Sequence, residues 1–232
     1  MATATVRNWS PKQSDQLVMT SATHTITDLE VLSYNRQATI IYLDQLPWRT
    51  TATRVVKALE LAVGQTCQSG ALGRQVLEKE KQCAMEISLQ LLSYRIRSRR
   101  EIGEKLEKRK MSIEAVEATL AKLEQAGYIN DSVFAKTWIN ERIEIHGYGR
   151  QRIRSELLSK GINAEVIEVE LDRAYGAEKE ECAALELAEK RLPRYAGLEP
   201  AVVRRRLTQV LLRRGFSAQM AQKVLKELNC AP

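Results

Sequence analysis

Apolar residues recur at helical spacing through the C-terminal two-thirds of the chain. Ile102 and Leu106 lie four apart, one turn up the same face. Ser98 and Glu101 precede them as a capping box, in which the serine oxygen accepts the N3 amide and the glutamate reaches back. A second helix opens at Ser112, a good N-cap, and carries Ile113, Val116, Leu120 and Leu123 as one apolar stripe.

The same pattern returns 51 residues later as Ile153 and Leu157, then Gly161-Ile162-Asn163, then Ala164, Ile167, Leu171 and Ala174. It returns after a further 54 residues as Leu207 and Leu211, then Gly215-Phe216-Ser217, then Ala218, Ala221, Leu225 and Leu228. Gly161 and Gly215 fall just past a helix end, where a left-handed residue is needed and glycine costs least. Lys110 holds that place in the first copy, at about 1 kcal/mol if it is left-handed. Each copy follows another helical stretch: 80–95 (Ala84, Ile87, Leu91), 132–145 (Phe134, Trp138, with Asp131 as N-cap) and 178–192 (Cys182, Leu185, Leu192). The chain therefore reads as mainly α. Three tandem three-helix repeats, at 80–128, 129–176 and 177–230, are expected to stack into an elongated curved array.

The N-terminal part has another character. Residues 1–24 are rich in Thr and Ser and are expected to be disordered. Residues 25–79 form a small β-hairpin and helix extension. Its strands are Ile26–Leu32 and Ala38–Leu43, Pro47 ends the hairpin, a helix covers 51–63, and a connector runs from Gly64 to Gly70.

Composition narrows the function. An apolar fraction of 44% over 232 residues is too high for a disordered chain. The chain has neither a membrane-spanning apolar run nor a signal pattern, so a cytoplasmic location without membrane association is expected. Cys67, Cys83, Cys182 and Cys230 form no C-x-x-C pair and read as free thiols. His24 and His146 are too few and too far apart for a zinc site or a Ser-His-Asp triad, and His146 reads as a loop residue. With no nucleophile–base pair, phosphate loop or metal cluster, the reading is of a non-enzyme without cofactor or metal.

Charge adds a surface. Residues 1–80 carry 8 basic and 7 acidic residues, whereas 81–232 carry 28 and 22. The excess gathers in three clusters: Arg95, Arg97, Arg99 and Arg100; Arg150, Arg152 and Arg154; and Arg204, Arg205 and Arg206 with Arg213 and Arg214. Arg99, Arg150 and Arg204 occupy equivalent places at helix starts, where cations oppose the helix dipole. Helix stability alone would place acids there. Arg100 and Arg205 project away from the core positions, while Arg109 and Arg214 lie near the core stripe, where their stems pack. These clusters, Arg109 and Arg214 aside, are the candidate partner- or DNA-binding residues.

Four segments, in order, resemble the bacterial RecX regulatory family. They are Leu92-Ser93-Tyr94-Arg95-x-Arg97-Ser98, Asp131-x-x-Phe134-Ala135-x-x-Trp138-Ile139-x-x-Arg142, Gly149-x-x-x-Ile153-x-x-Glu156-Leu157-x-x-Lys160-Gly161-Ile162, and Arg213-Arg214-Gly215-Phe216-Ser217. Ile41-Tyr42-Leu43-Asp44 is similar to the extension of longer members; Lys110 and Leu46-Pro47-Trp48 depart from the family pattern. The resemblance implies a non-enzymatic modulator of RecA recombinase. Such a protein lies in the groove of the RecA–single-stranded DNA filament and restrains ATP hydrolysis, strand exchange and co-protease activity, within recombination and the SOS response. The partner is then the RecA filament, with single- or double-stranded DNA as a further ligand, for a protein expected to be monomeric. The runner-up is a stand-alone basic helical-repeat DNA-binding protein. Against it, the helices at 113–126 and 164–175 are acidic, with Glu114, Glu117 and Glu124, then Glu165, Glu168, Glu170 and Asp172. An adaptor for some other acidic protein is third.

Overall fold

The two β-rich runs pair, but as the centre of a larger sheet. In the computed structural model, which describes residues 22–33 and 36–228, β1 (Thr23–Val31), β2 (Ala38–Leu43), β3 (Leu46–Ala52) and β4 (Thr66–Gln68) form an antiparallel sheet in the order β3-β2-β1-β4. Leu29 lies opposite Ile41, and Ile41 opposite Arg49. Residues 1–21 lie outside the described residues, while Thr23 and His24, expected in a disordered segment, belong to β1.

Pro47 does not end the sheet. It sits inside β3, paired with Tyr42, beside an irregularity in register. β3 is an edge strand, where a residue without an N–H is tolerated. The turn before it puts Asp44 and Gln45 at φ 49° and 68°, the two positive angles that a tight hairpin turn requires. The Asp44 carboxylate accepts the Thr25 amide at 2.9 Å and meets His24 Nδ1 at 2.7 Å. These contacts hold its carboxyl below the usual range, the backbone bond being the largest cause.

The expected helix at 51–63 shrinks to α1 (Thr53–Ala58), because residues 51 and 52 remain in β3. The expected connector supplies β4 and the start of α2 (Ser69–Tyr94), which is 26 residues long. The Trp48 indole lies over Gly73 in α2, 3.7 Å from where a Cβ would stand.

α3 (Arg99–Lys108) and α4 (Ile113–Gln125) complete the first repeat. Among the described residues, those up to Arg95 together with Ile102–Tyr128 form one compact unit; Ile96–Glu101 and those from Ile129 onward form another. In the first unit, Ile102, Leu106, Val116, Leu120 and Leu123 are buried, as the stripe implies. Ile113 is 78% exposed, so the first member of that stripe lies outside the core, as do its equivalents Ala164 and Ala218. A fully buried carboxylate, Glu80 on α2, ties this unit together. It accepts Thr51 Oγ1 at 2.6 Å, Arg49 at 3.5 Å and the Ser112 hydroxyl. Ser112 also caps α4 by accepting the Ala115 amide.

The second unit holds α5 (Asp131–Glu144), α6 (Arg150–Ser159) and α7 (Ala164–Ala174), then α8 (Ala177–Arg191), α9 (Pro200–Arg214) and α10 (Ala218–Glu227), with a short 3-10 turn at Leu192–Tyr195. One core gathers Phe134, Ile139, Ile153, Leu157, Ile167 and Leu171. The other gathers Val203, Leu207, Leu211, Phe216 and Leu225 against Ala184 and Ala188. Cys182, expected on the inner face of α8, is exposed. Asn163 and Ser217 cap α7 and α10 as the repeat requires. The N-cap of α5 is Asn130, not Asp131. Lys110, Gly161 and Gly215 are all left-handed, at φ 61°, 80° and 90°. Cys67 and Cys83, like Cys182, are free thiols, and Cys230 lies outside the described residues.

Candidate partner-binding surface

The acids missing from the helix starts come from elsewhere in the chain. Asp131, at the start of α5, accepts the Arg99 amide of α3 at 3.0 Å. Glu180, on α8, accepts the Arg150 amide of α6 at 3.2 Å. Each is a carboxylate at a helix N-terminus, which satisfies an orphan donor and opposes the positive dipole end. Burial pushes the Glu180 carboxyl up, against the Arg150 amide and the Arg150 charge, which hold it down.

The second helices of the repeats also meet end to end. The Ser98 hydroxyl accepts the Glu101 amide at 3.2 Å, as the capping box predicts, and donates to the Lys160 carbonyl at the end of α6 at 2.8 Å. The Glu101 carboxylate pairs with Lys160 Nζ at 2.8 Å. At the start of α6, Gly149 occupies the place of Ser98. Its own amide donates to the Arg214 carbonyl of α9 at 2.9 Å, and the Gln151 amide donates to Gly215 at 3.0 Å. The backbones approach so closely that a Cβ on Gly149 would lie 2.5 Å from Gly215 and Phe216 main-chain atoms. Carbonyl ends thus face amide ends, a favourable alignment of dipoles.

A cluster of ring and charge lies beside the first of these joints. Arg142 stacks 3.8 Å from the Trp138 ring centroid, with Lys160 Nζ 4.2 Å from the same centroid. Glu156 accepts Arg142 Nε at 2.8 Å and Trp138 Nε1 at 3.1 Å. Burial works against ionisation of Glu156, but the bonds from Arg142 and Trp138 outweigh it, and its carboxyl lies below the usual range.

This geometry sorts the candidate arginines. Arg150 is half-buried and donates to Asp172 at 2.7 Å, Glu168 at 3.3 Å and the Tyr175 carbonyl at 3.4 Å. Arg154 reaches Glu168 at 2.7 Å. Both depart from the expectation of uncommitted charge: the acidic face of α7 neutralises them within the repeat. Arg95, Arg97, Arg99 and Arg100 each have a partner in the chain. Arg100 is exposed as expected, and its stem covers Gly161, where a Cβ would meet Arg100 Cδ at 2.4 Å. Arg109 and Arg214 are half-buried, in line with packed stems. Arg204 is half-buried, and Arg205, Arg206 and Arg213 are exposed. Arg206 sits 5.7 Å from the Tyr195 ring centroid. Among the described residues, Arg204, Arg205 and Arg213 meet no carboxylate.

The uncommitted charge is therefore concentrated in the third repeat. Residues 190–226 hold ten basic residues and a single acid, Glu199; of the ten, Lys190 and Lys223 pair with Glu186 and Glu181. Arg191 and Arg194, outside the three clusters, belong to this stretch. The signal for Arg194 is the near absence of acids after Glu189 rather than any local run. Among the described residues no group of acids, histidines and cysteines could hold a metal, and no helix is long and apolar enough to cross a membrane.

Comparison with known proteins agrees with this architecture. Sequence models of the first, second and third three-helix domains of RecX match residues 84–123, 130–171 and 179–225. The chain is 36% identical to regulatory protein RecX of Streptomyces coelicolor over 144 residues, 62% of this chain and 76% of that protein. It is 28% identical to RecX of Bacillus mycoides over 208 residues, 88% of this chain and 77% of that protein. A crystal structure of regulatory protein RecX superposes with a TM-score of 0.62 at 25% identity, covering 88% of this chain and 99% of the other. RecX from Lactobacillus salivarius gives the same TM-score and identity, covering 66% of this chain and 99% of the other. Three domain models in order, on three repeats joined as described, place the chain in the RecX family, whose members are regulatory proteins and not enzymes.

Proposed function

We propose that this protein restrains RecA by binding in the groove of the RecA–single-stranded DNA filament, slowing ATP hydrolysis, strand exchange and co-protease activity. Membership of the RecX family carries this reading. The third repeat supports it physically. A filament around single-stranded DNA is a polyanion, and a stretch with ten cations and one acid is steered towards it. Arginine suits such a surface because its planar fork grips phosphate or carboxylate at two points. The protein acts as a monomer in the cytoplasm, with Arg204, Arg205, Arg206 and Arg213 as its main contacts.

The test is to add the purified protein to RecA already assembled on single-stranded DNA with ATP and to follow phosphate release. Slowing that grows with added protein is expected; unchanged release at every ratio up to excess sinks the proposal. The alternative, a DNA-binding protein independent of RecA, is disfavoured by α4 and α7. Among their acids, Glu114 and Glu165 are exposed and would meet phosphate. It predicts full DNA affinity and no effect on RecA.

A further inference from the structure

The two end-to-end joints differ in one informative way. In the first, Glu101 faces Lys160 and the two form an ion pair. In the second, the equivalent residues are Arg152 and Arg214, by the repeat offsets of 51 and 54. An attractive pair has been replaced by two cations. Among the described residues Arg214 meets no carboxylate, and Arg152 only shares one. Arg152 lies 3.8 Å from the Tyr148 ring centroid and donates to the Arg213 carbonyl at 3.2 Å. Arg214 lies 5.6 Å from the same centroid and donates to the His146 carbonyl at 2.6 Å. The carboxylate in reach of Arg152 is Glu156, at 3.4 Å, and it already accepts from Arg142 and Trp138.

Two more cations converge on the same place. Arg152, Arg191, Arg213 and Arg214, with Val210, line a cleft of about 140 Å³. Among the described residues, Arg191 and Arg213 have no acidic partner. Four guanidiniums around one small cleft repel one another. Carbonyls and an aromatic face position two of them, and the one carboxylate in reach, Glu156, is shared with Arg142 and Trp138. An anion seated among them would take the part that Glu101 plays in the first joint. Beside the cleft, His146 is exposed and stacks on Tyr148, with ring centroids 5.2 Å apart. A flat exposed ring next to convergent guanidiniums favours a ligand that carries both phosphate and a planar base.

We propose that this cleft seats a backbone phosphate of single-stranded nucleic acid, with the adjacent base stacked on His146. The site rests on the RecA-filament reading only for its biological setting; its chemistry stands alone. The measurement is the anisotropy of a fluorescent oligothymidylate titrated with the full-length protein over a range of salt. Arg191→Ala/Arg213→Ala is expected to weaken binding by roughly tenfold or more, and to lower the slope of log K against log salt by about one. Arg152→Glu restores the Glu–cation pairing of the first joint. It should therefore keep the folded stability while losing most of the affinity.

Unchanged affinity and slope in both variants overturn the proposal. So does displacement of the strand by pyrophosphate at equal phosphate concentration, which would make the cleft a site for a free anion. If the wild-type protein slows RecA without binding the oligonucleotide, the cleft assignment fails and the filament reading stands. If it binds through the cleft and leaves RecA untouched, the reverse holds.

Discussion

Asp131 caps a helix to which it does not belong: its carboxylate accepts the backbone amide of Arg99, 32 residues earlier, at 3.0 Å. Glu180 repeats the arrangement on Arg150, 30 residues earlier, at 3.2 Å. Arginine at these helix starts is tolerable because another helix supplies the acid. Removing that acid should therefore cost about as much as removing an N-cap. Asp131→Ala is expected to lose about 1 kcal/mol in urea unfolding. A variant as stable as wild type would show that the contact contributes nothing.

Glu180 also sets a dependence on pH. Burial raises its carboxyl above the ordinary value, so the folded chain releases that proton at higher pH than the unfolded chain does. Its contribution is fully present below the ordinary glutamate range, near pH 4, and is lost as pH rises through the raised value. Glu180→Gln keeps an acceptor for the Arg150 amide and does not ionise. The stability of wild type relative to this variant should fall as pH climbs from about 4 to 7. A flat or rising difference in thermal melts would contradict the assignment.

The joints set strict limits on side-chain size. Gly149→Ala would push a Cβ to within 2.5 Å of Gly215 and Phe216 backbone atoms, which flexible side chains cannot relieve. A loss of about 2 kcal/mol is expected, of the size of an overpacked core. Lys110→Gly acts in the opposite sense. Lys110 sits at φ 61° with its side chain exposed, and glycine relieves that strain. After the greater freedom of unfolded glycine is deducted, a gain of about 0.5 kcal/mol is expected in the same urea assay.

Glu80, fully buried with three partners, is a sensitive position in the first unit. Replacing it with alanine strands Thr51, Ser112 and Arg49 around a cavity. About 3 kcal/mol should be lost, enough to be read as a clear drop in melting temperature.

Charge reversal separates partner contacts from internal ones. Arg204→Glu/Arg205→Glu should leave the melting temperature near that of wild type while weakening filament binding and flattening its salt dependence. Arg150→Ala should do the converse, because it strips Glu168 and Asp172 of their shared partner. Equal effects of both changes on filament binding would remove the distinction.

Much of the helical part was legible because its information is local. The stripe from Ile153 to Leu171 needs only a period and a cap. So does the left-handed position shared by Lys110, Gly161 and Gly215. What escaped was set by distant residues. Pro47 reads as a terminator until β3 is known to be an edge strand. Gly64 to Gly70 reads as a connector until Thr66–Gln68 are known to pair with β1. The arginines at helix starts read as uniformly available until Asp172 and Glu168 are seen to hold Arg150 and Arg154. Repeat alignment alone could have found the contrast between Glu101–Lys160 and Arg152–Arg214, since it needs only offsets. That Arg152 and Arg214 line one cleft needed coordinates.

That contrast has an evolutionary side. Tandem duplication hands a chain several copies of one contact, and only some must be kept for the fold to hold. The slot with Glu101 opposite Lys160 is a closed form of the junction. The slot with Arg152 opposite Arg214 carries the opposite sign at one position while the backbone bonds of Gly149 and Gln151 hold the helices together. New chemistry could thus arise there without a new scaffold, and the sibling junction remains in the same polypeptide as a built-in reference for it.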